Sequence, residues 1–76
     1  MNEIDPVLAL ELLPQKIDER KRLIASLMLD LQVVQESPYG KAEEVLRLEE
    51  AISIQQNYLA LFEKRLHAIT AAANGV

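Results

Sequence analysis

Apolar residues recur at alternating steps of three and four along two stretches of the chain, and the segment "VVQESPYGKAEEVL" interrupts them. In the later stretch Val45, Leu48, Ile52, Gln55, Leu59, Phe62, Leu66 and Ile69 follow this spacing, with Gln55 as the one polar member. In the earlier stretch Ile17, Arg20, Ile24, Leu27, Leu31 and Val34 follow it, with Arg20 as the polar member. Spacing of this kind places one apolar row on one side of a helix, the seam of a coiled coil. The break between the rows has a local cause. Pro38 biases Ser37 away from helical backbone, and Gly40 permits a left-handed conformation, so "SPYG" is a tight antiparallel return.

Folding the chain at that return sets the rows face to face. Val34 meets Val45, Leu31 meets Leu48, Leu27 meets Ile52, Ile24 meets Gln55 and Ile17 meets Phe62. The expected fold is all-α, an antiparallel, coiled-coil-like helical hairpin with helices over about 15–36 and 41–72 and a turn at 37–40. At 1.5 Å per residue the helices measure about 33 Å and 45 Å. Ahead of them, Asp5 reads as an N-cap with Pro6 in the first helical position, opening a short helix, "PVLALELL", which Pro14 ends or kinks. Residues 1–14 are therefore an N-terminal arm, and 73–76 a flexible tail. Continuing the pairing past Pro14 brings Leu13 to Leu66 and Leu10 to Ile69, where the arm covers the overhang of the longer helix.

The seam leaves apolar residues over. Leu29 and Val33 lie off the first row, and Ile54, Tyr58 and Leu61 form a second stripe on the later helix. These five are the candidate partner interface, because a two-helix hairpin has no further layer with which to cover them. Tyr58, with a polar tip on an apolar stripe, is the stronger anchor. Tyr39, in the turn, is expected to pack over the hairpin end.

Composition sharpens this picture. A chain of 76 residues is small for a self-sufficient core, and with no cysteine it has neither disulfides nor thiolate metal sites to help. Another protein chain is the remaining support. The net charge of −4, with the eight Lys and Arg mixed among acids, speaks against nucleic acid or an anionic membrane as the main partner. No apolar run reaches the roughly 20 residues of a membrane span, and the acidic "MNEID" is unlike a signal peptide, so a cytoplasmic protein without membrane insertion is expected.

Candidate chemistry adds little. His67, the only histidine, sits in a basic stretch near a helix C-terminus, where positive charge is favourable. Glu43, Glu44, Glu49 and Glu50 read as a solvated face, and the first two favour a helix N-terminus. Arg20 and Gln55 fit the polar seam positions that fix register and partner choice. No catalytic, cofactor-binding or metal site is expected.

Two resemblances bear on function. "KIDERKRLIASLMLDL" resembles the first helix of the all-helical chorismate mutases, but that family needs an arginine just ahead of its Ile-Asp pair. Here "LLPQ" precedes the segment, and no enzymatic activity is expected.

The second resemblance covers more of the chain. From the turn onward, "SPYGKAEEVLRLEEAISIQQNYLALFEKRLHAI" is similar to the small co-chaperones of type III secretion needle subunits, at Pro38, Tyr39, Leu48, Glu50, Ala51, Ile52, Asn57 and Arg65. Tyr39 lies about one helical turn further from Glu50 than in that family. The "DPVLALELLP" leader has no counterpart. The resemblance implies a helical hairpin that pairs with a tetratricopeptide-like helical-repeat chaperone in the bacterial cytoplasm, the pair keeping a needle subunit unpolymerised. The alternatives from the sequence are self-association of two hairpins into a four-helix bundle and a generic coiled-coil adaptor.

Overall fold

A computed structural model describes residues 4–74 and consists of two helices, α1 (Pro6–Glu36) and α2 (Ala42–Asn74), packed as an antiparallel hairpin. Among the described residues there is no strand. The molecule measures 57 × 22 × 17 Å, one helix thick and two helices wide.

The seam is the one read from the sequence. Every position in the two rows, from Ile17 to Val34 and from Val45 to Ile69, is buried or half-buried. The most buried residues are Leu13, Ile17, Ile24 and Ile52, and even these keep 8–9% of their surface exposed. Two helices shield each other along one line only, so no side chain is enclosed on all sides.

The expected break at Pro14 is absent. α1 continues through it, joining the short leader helix and the first hairpin helix into one element of 31 residues. Asp5 starts this helix as expected, its carboxylate accepting a hydrogen bond from the Val7 N–H at 2.9 Å, with Pro6 in the first turn. Pro14 has no N–H for the Leu10 carbonyl, and an interior proline costs about 3 kcal/mol. The neighbours offset that cost. Leu13 and Ile17 flank Pro14 at seam positions and are buried against α2, while Leu10 is half-buried; each fully buried side chain contributes about 1.5–3 kcal/mol. Pro14 itself is exposed. The leader thus extends the seam to the end of α2, and the two helices, of 31 and 33 residues, are nearly equal in length.

The turn departs from expectation in detail. α1 is closed by Ser37, whose N–H donates to the carbonyls of Val33 and Val34 at 3.0 and 3.2 Å. Gly40 N–H returns to the Ser37 carbonyl at 3.2 Å, with Pro38 and Tyr39 between. The Ser37 hydroxyl accepts from the Tyr39 N–H at 3.1 Å. Gly40 does not use left-handed backbone, since no described residue has positive φ. Glycine is required there by proximity: a Cβ on Gly40 would lie 2.1 Å from the Val34 carbonyl oxygen. α2 then begins at Ala42 and runs to Asn74, past the expected limit at 72; residues 75 and 76 of the expected tail lie outside the described residues.

Candidate interaction face

The seam's two polar residues mark one side of the hairpin. Arg20 reaches along the helix pair to Gln55, one turn from its facing position, and donates a hydrogen bond to the Gln55 side-chain oxygen. Its guanidinium carbon lies 5.3 Å from the Tyr58 ring centre and 5.6 Å from that of Phe62. At such distances the ring faces attract the cation. Arg20 is half-buried, its charge held by an amide and two rings.

Around this contact the flank carries large apolar residues, mostly from α2, beside the exposed Lys16–Glu19 ion pair of α1. At about 100° per residue, Ile54, Tyr58 and Leu61 project from α2 on the same side of the seam as Leu12 and Leu23 from α1. All three α2 residues are exposed, as is Leu23, and Leu12 is half-buried. Leu13, which crosses the seam near the open end of the hairpin, lines a shallow groove with Leu61, Phe62, Lys64, Arg65 and Ala68. Its floor is mostly apolar and its rim is cationic.

Leu29 is not part of this flank: it is exposed, but it projects from the side of α1 that faces away from α2. Val33, also exposed, directly precedes the seam residue Val34 and lies on the same side of the seam as Leu23, about three turns nearer the hairpin tip. Four of the five candidate interface residues therefore share one side of the hairpin, and Leu29 stands apart. That side also carries Leu23 and Leu12, which the stripes in the sequence do not include. Their signal was present in the pattern: each directly precedes a seam residue, Ile24 or Leu13, and such a neighbour sits about 100° round the helix, beside the row.

Other candidates fall as follows. Tyr39 does not pack over the hairpin end: it is 87% exposed. His67, Glu43, Glu44, Glu49 and Glu50 are all exposed. Among the described residues no helix is long and apolar enough to cross a membrane.

The accessible surface gives the scale of what is left uncovered. At 8.6 kDa and 6202 Å², the hairpin exposes about 1,500 Å² more than a compact monomer of its mass, for which scaling gives about 4,700 Å². That excess is comparable with the total area buried in a standard protein interface, about 1,600 Å². The chain matches no protein family, no curated protein and no solved structure in comparison with known proteins.

Proposed function

We propose that this chain is a protein-interaction subunit, a bacterial cytoplasmic co-chaperone of type III secretion that pairs with a tetratricopeptide-like chaperone to keep a needle subunit unpolymerised. The observation that carries the interaction role is the flank of Leu23, Ile54, Tyr58 and Leu61, left exposed after the two helices have satisfied each other's seam. Patches of contiguous apolar surface beside a completed core are where partners dock. The co-chaperone assignment rests on the similarity from Pro38 to Arg65, together with the hairpin shape that this similarity implies.

In this role the hairpin does no chemistry. It supplies an apolar helical face, and the burial of Tyr58 and Leu61 against the partner supplies affinity. The test is co-expression with a tetratricopeptide-like chaperone of a type III secretion system, with the solution mass measured by light scattering. The expected result is an 8.6 kDa chain alone and a one-to-one complex with the chaperone, lost in the Tyr58→Gln, Leu61→Gln double variant. A chain that has twice this mass alone, halves it in the same variant and ignores the chaperone would establish the four-helix homodimer instead.

A further inference from the structure

Resting on that reading, we propose that the occupant of the flank is an amphipathic helix of a different protein that brings a carboxylate to Arg20 and Arg65. The argument begins with the state of Arg20. A guanidinium carries five N–H donors, and the hydrogen bond to Gln55 uses one. The rings of Tyr58 and Phe62 lie close to it, and water reaches what remains. The ion pairs among the described residues, Lys16–Glu19 and Arg22–Asp18, leave Arg20, Lys64 and Arg65 without a carboxylate.

A partner seated on Ile54, Tyr58 and Leu61 displaces water from beside Arg20. An all-apolar partner would then strand a cation with most of its donors unpaired, which is strongly unfavourable. A partner with Asp or Glu at the edge of its apolar face replaces that water with charge-assisted hydrogen bonds, and the planar fork of Arg suits a carboxylate well. Lys64 and Arg65, on the groove rim beside Leu61 and Phe62, extend the same preference. Counted round the helix, Glu49, Glu50 and Glu63 fall on other sides of α2; Glu19, just before Arg20, does lie on the flank, but it is paired with Lys16 at 3.6 Å, so Arg20 and Arg65 leave this end of the flank net cationic.

The same charges argue against a second copy as the occupant. In a two-fold dimer this flank meets itself, which gathers Arg20 and Arg65 with their own counterparts around an apolar centre. Like charges opposed in this way disfavour the pairing.

A matched pair of synthetic amphipathic Leu/Ala peptides of about 18 residues tests this, one with a single Glu at the edge of its apolar face and one with Gln there. Binding to the full chain is read by fluorescence anisotropy of the labelled peptides. The Glu peptide is expected to bind about tenfold more tightly, with the preference shrinking as salt is raised. Arg20→Met, which keeps the apolar stem, and Arg65→Gln, at an exposed position, are each expected to reduce the preference, read as the ratio of the two peptides' affinities for the same variant. Equal affinities, a preference that survives in both variants, or binding of neither peptide would overturn the proposal. The Tyr58→Gln, Leu61→Gln variant separates this from the docking role itself. If it weakens both peptides while Glu and Gln bind alike, the flank is a docking face without the carboxylate preference; if it weakens neither, the docking role falls as well.

Discussion

Arg20 and Gln55, the two polar residues in an otherwise apolar seam, are each other's partners: the guanidinium of one donates to the side-chain oxygen of the other across the helix pair. Each supplies the other with a hydrogen-bond partner inside the seam. Gln55→Leu alone is expected to destabilise the hairpin by about 1–3 kcal/mol, because it leaves Arg20 half-buried without its acceptor. Replacing both by Leu is expected to be close to neutral or stabilising. Urea denaturation of the two single variants and the double variant gives the coupling energy, and additive effects would mean that the contact carries no weight.

Pro14 gives the opposite kind of prediction, a substitution that stabilises. The helix already passes through this position, so Pro14→Ala restores the N–H that the Leu10 carbonyl lacks without asking the backbone to move. A gain of about 1–3 kcal/mol is expected, seen as a rise in the thermal midpoint. A variant that melts at or below the parent's temperature would place the helix boundary back at residue 14.

Gly40→Ala is expected to cost about 1–3 kcal/mol, although alanine is compatible with the backbone angles there. The cause is the Val34 carbonyl oxygen, 2.1 Å from the new methyl group, which is backbone and cannot swing aside. Thermal melts with full recovery of helicity on cooling distinguish a strained turn from a misfolded chain, and an unperturbed midpoint would show that the turn relaxes freely.

At the seam, Ile24→Ala and Ile52→Ala are each expected to cost about 2–5 kcal/mol, while Leu29→Ala, on the outward side of α1, stays within about 0.5 kcal/mol. Comparable losses at all three positions, measured by chemical denaturation, would contradict the assignment of Leu29 to open surface.

The parts of the fold that were legible in the sequence are those with a periodic signal. Alternating steps of three and four located the seam from Ile17 to Ile69, because burial in a two-helix pair depends only on the angle round each helix. Local propensity opposes a helix at Pro14 and points to a break, whereas the deciding energy lies in Leu13 and Ile17 packing against residues far along the chain. Gly40 was assigned to the turn for a conformational reason, but the structure needs it for a distance, which no local rule encodes. The candidate face was half visible. Ile54, Tyr58 and Leu61 stood out as a stripe on one helix, but joining them to Leu12 and Leu23 needs the relative rotation of both helices, and the Arg20–Tyr58 contact reports that rotation.

Because the hairpin is closed at a single turn, the span of chain between facing residues grows steadily away from the tip. Val34 and Val45 are joined by about a dozen residues and Leu13 and Leu66 by about fifty, so closing the outer pair costs about 1 kcal/mol more in chain entropy. The pair therefore zips from the tip and frays from the open end, the end that carries the groove of Leu13, Leu61 and Arg65. A partner seated there holds together the strands of the zipper where they part most easily. Amide exchange is expected to be fastest in the first turns of α1 and the last turns of α2 in the free chain, and to slow most at that end when the groove is filled.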